Sequence, residues 1–223
     1  MAWSDLEPIL PEQPTPERER KLLEAVRLGP IVHQWATVFA RNGVHTVELE
    51  VSRDALMVGV TGDAVRIIVN ATTAQQIADH LGALLLTPRV ADLIRQQAEV
   101  LIAPATQTPN AAMANTSRMV AHSRAVDQRI AATGNAGLVA NAGKDWVLSN
   151  RLLAQPDRAA NYGWYVAQSS YPATVAGLFV LQPLGLAHNR FHVDYSQTVR
   201  LMRSVCRADG VERDLAAVLS DPE

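Results

Sequence analysis

Between Leu181 and Leu201 the chain reads LQPLGLAHNRFHVDYSQTVRL, and its centre gathers His188, Asn189, Arg190, His192, Asp194, Tyr195, Ser196 and Gln197 between apolar runs. A fold does not need so many reactive side chains together, so this segment is the first candidate for a working site. Two chemistries suit it. In the first, Ser196 is a nucleophile, His188 (or His122) takes its proton and Asp194 orients the imidazole. A serine hydroxyl attacks poorly until a neighbouring base removes that proton. In the second, His122, His188, His192 and Asp194 are ligands of a zinc ion that activates water. Neither carries a full signature. Tyr195-Ser196-Gln197 is not a G-x-S-x-G elbow, and the chain has no H-E-x-x-H and no C-x-x-C.

Other residues join by type and position. Lys144-Asp145 follows the Gly-, Ala- and Asn-rich stretch Thr133–Gly143 and precedes an apolar strand. Lys144 there binds an anionic group or, if desolvated, acts as a base. Together with His122 it is placed to stabilise developing negative charge. Asp145, Asn150, Trp164 and Tyr195 are expected to contact substrate. Trp164 belongs to Tyr162-Gly163-Trp164-Tyr165, where a glycine inside a strand lets a ligand come close and the two last aromatics point to opposite faces. Each has a plainer structural alternative: strand histidines bonded to neighbours, a solvated loop end at Lys144, a helix histidine at position 122. Cys206, the only cysteine, reads as structural and excludes an intrachain disulfide.

The elements that must position these groups are punctuated by prolines and glycines. Residues 1–16 hold Pro8, Pro11, Pro14 and Pro16 and read as an extended arm suited to docking on a second copy of the chain. Thr15-Pro16 starts a helix that ends at Gly29-Pro30. Ile31–Ala40 reads as a second helix. Val44–Val51, Leu56–Val60 and Val65–Val69 read as a three-stranded meander with a turn at Gly62-Asp63. Thr72 or Thr73 caps a helix to Leu81, and Thr87-Pro88 opens another. A short strand, Val100–Ala103, precedes a polar loop over 104–116, which is also a possible sub-boundary in a single domain over 17–223. A helix from Ser117 to Ala131 carries His122. Thr133–Gly143 reads as an exposed loop. Strands follow at Trp146–Ser149, Tyr162–Ala167, Val175–Leu181, Phe191–Tyr195 and Thr198–Val205, with His192 and Asp194 on one face of the fourth. A helix over Val211–Leu219 closes the chain. The order predicts an α+β fold, with mostly antiparallel strands over about 44–70 and 144–205 and several packed helices.

Composition narrows the classes. The chain has 223 residues, a net charge of -2 and 48% hydrophobic residues, which is enough for a core and gives no basic surface for nucleic acid or anionic lipid. No apolar run reaches the roughly 18 residues of a membrane span. The first residues carry no basic and apolar leader, so a cytoplasmic location is expected.

The motifs together resemble a set of uncharacterised bacterial and phage-associated proteins, over about Val44 to Leu201. The shared pieces are Asp54-Ala-Leu-Met-Val-Gly59, Thr73-Ala-Gln-Gln-Ile-Ala-Asp79, Thr87 to Ala98, His122, Lys144-Asp145 with Asn150-Arg-Leu152, Pro156-Asp-Arg158 leading to Tyr162-Gly-Trp164, Gln182-Pro-Leu184, His188 and Val193-Asp-Tyr-Ser196. The resemblance implies that His122, Lys144, Asp145, His188, Asp194 and Ser196 belong together. It supplies no reaction. Tyr165 and Gln197 stand where the pattern has histidines. The expected function is hydrolysis of a peptide, a cell-wall peptide or an ester at a His/Asp/Ser site. The alternatives are the zinc-dependent hydrolase above and a non-catalytic binding or assembly protein of a phage particle.

Overall fold

The N-terminus is built into the molecule. A computed structural model describes residues 1–174 and 176–220. It shows α1 (Trp3–Leu6) and a 3-10 turn (Glu7–Ile9), with Trp3, Leu6 and Leu10 buried in the main core. The extended arm expected over 1–16 is thereby corrected. Burying a large apolar side chain is worth about 1.5–3 kcal/mol, and these three outweigh the prolines between them. An arm whose apolar groups close its own core leaves them unavailable to a second copy. Then α2 (Pro16–Leu28) starts as expected, with the Thr15 hydroxyl accepting from Arg18 N–H.

The predicted helix over Ile31–Ala40 is instead two strands, β1 (Ile31–Val32) and β2 (Trp35–Asn42). Ile31, Val32, Thr37, Val38 and the aromatic Trp35 and Phe39 suit a pleated surface better than a helix. A tight turn with Gly43 at φ 58° returns the chain as β3 (His45–Ser52), paired with β2 along its whole length. The meander is also corrected. β4 (Met57–Val60) and β5 (Asp63–Arg66) form the expected hairpin, but β4 pairs with β1 and not with β3. Then α3 (Ala71–His80) is capped by Asn70, two to three residues before the expected threonines. After β6 (Ala83–Leu85), Thr87 caps α4 (Pro88–Gln97) as predicted.

β7 (Val100–Leu101) pairs in parallel with β8 (Val139–Ala140), and α5 (Thr116–Thr133) connects them. The loop expected to be exposed over 133–143 is therefore buried from Leu138 to Gly143. Its small residues permit that close packing. A Cβ on Gly143 would lie 2.4 Å from the Thr198 side chain. The last third gives β9 (Lys144–Val147), β10 (Ala160–Val166), β11 (Phe179–Gly185), β12 (Gln197–Thr198), β13 (Leu201–Ala208), β14 (Val211–Asp214) and α6 (Leu215–Ser220). Val175, in the predicted strand Val175–Leu181, lies outside the described residues. The predicted strand Phe191–Tyr195 is a loop, and Thr198–Val205 is split between β12 and β13. The helix predicted from Val211 begins only after a hairpin strand, because Asp209 and Gly210 take the positive-φ turn that pairs β13 with β14.

The result is α+β. One sheet runs β14-β13-β3-β2, with β6 also on β13; a second runs β1-β4-β5; a third runs β11-β10-β9-β12. In the third sheet only β12 is parallel to its neighbour. Each face of that sheet meets a different core. Trp146 and Trp164 pack with Tyr195, Met119 and residues of α2 and α3, whereas Val147, Tyr162 and Tyr165 pack with α4.

Arg66 fastens α5 to β5. It is buried and binds Asp54 at 2.5 Å, Asp127 at 2.6 Å and both polar groups of Ser123. Removing one partner of a buried pair leaves an uncompensated charge. Arg66→Ala is therefore expected to lower unfolding free energy by about 3 kcal/mol. Urea denaturation checks this, and a loss below about 1 kcal/mol would mean that the clamp is not structural.

Candidate functional site

The site grows from the register of the third sheet. Residues paired across neighbouring strands put their side chains on the same face. Gln197 of β12 is opposite Lys144 of β9, Lys144 is opposite Gly163 of β10, and Gly163 is opposite Gln182 of β11. One row across the sheet therefore reads Gln197, Lys144, Gly163, Gln182. Asn161 lies one pair further along β10, opposite Trp146, on that same face. Gly163 has no side chain to fill the row, and a Cβ built there would find no atom nearer than 3.8 Å.

Trp164 reaches this face by backbone strain. Alternation would send it to the opposite side, with Tyr162. Instead it has φ 58°, its indole joins the core of Trp146 and Tyr195, and the β10–β11 register shifts nearby. A bulky residue held at positive φ costs on the order of 1–3 kcal/mol, and such outliers gather at functional sites. Lys144 Nζ lies over the indole, 5.2 Å from its centre, and 4.0 Å from Asp194 Oδ1.

Above the sheet stand α5 and the loop carrying residues 188–196. His122 of α5 is buried, edge-on to Tyr195 at 5.3 Å and 6.1 Å from Trp164. Tyr195 OH accepts from Gln107 N–H and its own N–H donates to Met113 C=O, tying loop 104–116 to the site. Asp194 Oδ1 accepts from the Ser196 hydroxyl and from Ser196 N–H. The loop is held by Ala159 N–H to His188 C=O and by Thr72 N–H to Arg190 C=O. His188 and His192 stack face to face at 3.8 Å.

The electrostatics follow from this enclosure. Burial, then Arg66, pushes His122 down to about 4, against the pull of Asp194. Burial and the Lys144 charge lower His188, and burial and His188 lower His192. Each of these shifts favours the neutral imidazole. Burial also lowers Lys144, with Asp194 opposing.

The predicted residues divide accordingly. His122, Lys144, Trp164, His188, His192, Asp194, Tyr195 and Ser196 do come together. Asp145 does not: it faces the other side of β9, buried against the Thr198 hydroxyl, and burial raises it to about 6. Asn150 is exposed in a 3-10 turn beyond the far end of β9. The expected serine triad is not formed. Ser196 is fully buried and its hydroxyl donates to Asp194, with no bond to an imidazole. The zinc set is not formed either. An imidazole coordinates in its ring plane, and His188 and His192 lie only 8° from parallel, so their planes do not meet at one ion. Among the described residues no group of three or more His, Cys, Asp or Glu is arranged to hold a metal.

Asp145 gives a pH test. Its folded value lies above the ordinary 3.8, so the fold binds this proton more tightly than the unfolded chain does. The stabilisation is complete below about pH 4 and is lost as pH rises through about 6. Asp145→Asn should flatten stability over that window, read by thermal melts from pH 4 to 7. A variant with the wild-type slope would place the effect elsewhere.

Sequence reasoning missed Asn161 and gave Gln182 and Gln197 no role. Among the described residues, six buried side-chain atoms without a hydrogen-bond partner belong to this face and its cover: His122 Nε2, Trp164 Nε1, both polar atoms of Asn161 and both of Gln197. The available signal was a lone amide inside an apolar strand, at Ala160-Asn161-Tyr162. The chain is thus an α+β protein with a polar face buried in its small mixed sheet. No family model, no curated protein and no solved structure matches it.

Proposed function

We propose that this face is the substrate site of a hydrolase that cleaves an acyl bond by general acid–base chemistry, with water as the nucleophile. The observation that carries it is the group of buried, unpartnered polar atoms around Lys144. An unsatisfied buried polar group costs about 1–3 kcal/mol, and a fold keeps several together where a ligand will satisfy them. His188 and His192, half-buried at the rim, supply the base. One neutral imidazole takes a proton from water, and the water oxygen bonds to the acyl carbon. The carbonyl oxygen gains the displaced electron pair beside Lys144 Nζ and Trp164 Nε1–H. The imidazolium then returns its proton to the leaving group as the acyl bond breaks. A charge on His188 disfavours one on the stacked His192. Asp194, held by Ser196, keeps Lys144 in place.

Hydrolysis of p-nitrophenyl acetate and of N-acetyl-alanine p-nitroanilide tests this. The wild-type protein should exceed the same concentration of free imidazole. The His188→Ala/His192→Ala variant should lose about 100-fold or more. The acid limb of the pH profile should lie below 6.5, the ordinary histidine value. A folded double variant with full activity, or a wild type no faster than imidazole on both substrates, overturns the proposal.

A further inference from the structure

A cavity of about 340 Å³ is lined by residues of β1, β4, β5 and α5 and by the loops that follow β3 and α5. Its volume is at the lower end of the range of small-ligand sites. None of its lining residues belongs to the face around Lys144. Val32, Met57 and Ile130, each half-buried, give it an apolar wall, and Thr61, Asn135 and Ala136 on its lining are exposed.

The charges on this lining are unevenly matched. Asp54 and Asp127 both bind Arg66, so two carboxylates share one guanidinium and a negative charge is left over. Asp127 is also half exposed, and only its Oδ1 accepts from Arg66. Arg53 has no carboxylate partner among the described residues. Its Nε donates to Gly137 C=O at 2.9 Å and its Nη1 to Gln34 Oε1 at 2.7 Å. These neutral acceptors fix the guanidinium without offsetting its charge, and they leave Nη2 for a ligand carboxylate. The loop that carries Gly137 is itself tied down by Glu99, which accepts from Leu138 N–H at 2.6 Å and, at its C=O, from Asn135 Nδ2 at 3.3 Å. Burial and the Arg203 charge lower His33, also on the lining, and so favour its uncharged form. The cavity therefore offers one positive and one negative charge in excess, beside an apolar wall.

A ligand with a single charge suits only half of this arrangement. A carboxylate pairs with Arg53 but faces the excess negative charge of Asp54 and Asp127. An amine pairs with that charge but faces Arg53. A zwitterion satisfies both, and an apolar group attached to it covers the wall. We infer that this cavity binds a free α-amino acid with a large apolar side chain, its carboxylate on Arg53, its ammonium at Asp127 and its side chain against Val32, Met57 and Ile130.

L-Phenylalanine is the probe, titrated into the full chain by calorimetry beside hydrocinnamate, phenethylamine and glycine. Hydrocinnamate lacks the ammonium, phenethylamine the carboxylate and glycine the apolar group. Phenylalanine should bind about tenfold or more tightly than each of the three, the loss of one charged hydrogen bond or of the apolar contact. Asp127→Asn sits at an exposed position and keeps an acceptor for Arg66. It should weaken phenylalanine and strengthen hydrocinnamate, narrowing the gap between them. Arg53→Met should weaken phenylalanine about tenfold or more and strengthen phenethylamine. Ala136→Trp, an exposed change on the lining, should block phenylalanine. A purely structural role for these residues would not move the preference between phenylalanine and its two singly charged analogues. Absence of phenylalanine binding overturns the inference, as does equal affinity for any of the three analogues. Wild-type affinity and preference in the folded Asp127→Asn and Ala136→Trp variants does the same.

Discussion

Lys144→Met is expected to reduce turnover of p-nitrophenyl acetate by about 100-fold or more while leaving the fold intact. Removing one donor that meets a developing oxyanion typically has that effect. Methionine keeps the unbranched stem against the Trp164 indole, where Lys144 Nζ now sits 5.2 Å from the ring centre, and removes only the ammonium. Asp194 keeps its two bonds from Ser196, so no carboxylate is left bare. Burial already disfavours the charged amine, and losing it should shift the melting temperature by no more than a few degrees. Ser196→Ala is the control. Its hydroxyl supports Asp194 and is fully buried, so less than a tenfold loss is expected. Initial rates on purified, folded variants decide the matter. Full turnover in Lys144→Met overturns its role, and a 100-fold loss in Ser196→Ala would return the nucleophile to that hydroxyl.

The second large effect has the opposite sign for stability and for function. Gln197→Met and Asn161→Leu should make the protein more stable and less active. Each removes two buried atoms with no partner and replaces a carboxamide with an apolar group of similar size. Relieving such an atom gains about 1–3 kcal/mol, and at this chain length 1 kcal/mol moves a melting temperature by about 2–4 °C. A rise of a few degrees for each variant is expected, about double when they are combined, since Asn161 and Gln197 lie on strands separated by β9. Scanning calorimetry checks this. A fall in melting temperature would show that the amides are satisfied in the resting protein and act as structural polar groups. A rise together with lost turnover of p-nitrophenyl acetate would show polar groups retained for function against stability.

The fold was legible where local chemistry decides. Thr15-Pro16 and Thr87-Pro88 announce α2 and α4 because a hydroxyl cap and a preset φ act within one turn. The hairpin between β4 and β5 follows from a glycine turn between apolar runs. The failures share one cause. Ile31–Ala40 can be written with helical periodicity, and its β-branched and aromatic residues become strands through pairing with β3 and β4. Phe191–Tyr195 alternates like a strand, but Asp194 turns onto Ser196 and breaks the ladder. The prolines of the first 16 residues hid the burial of Trp3, Leu6 and Leu10.

The candidate site divides along the same line. The cluster from His188 to Ser196, the glycine before Trp164 and the lysine before Trp146 were visible as residue types at short spacings, and they do meet. Their roles were not visible, since a role depends on neighbours distant in the chain. Register sends Lys144 and Asp145 to opposite faces of β9, and a positive φ brings Trp164 to the side of Lys144. Gln197 and Asn161 were unremarkable amides until β12 and β10 were seen on either side of β9. Composition and short-range patterning therefore determined the α+β class, the main helices and the neighbourhood of the site. Strand order, the faces the side chains share and the polar atoms left without partners were decided by tertiary structure, because hydrogen-bond pairing between segments distant in the chain, such as β9 with β12 and β3 with β13, has no local signal.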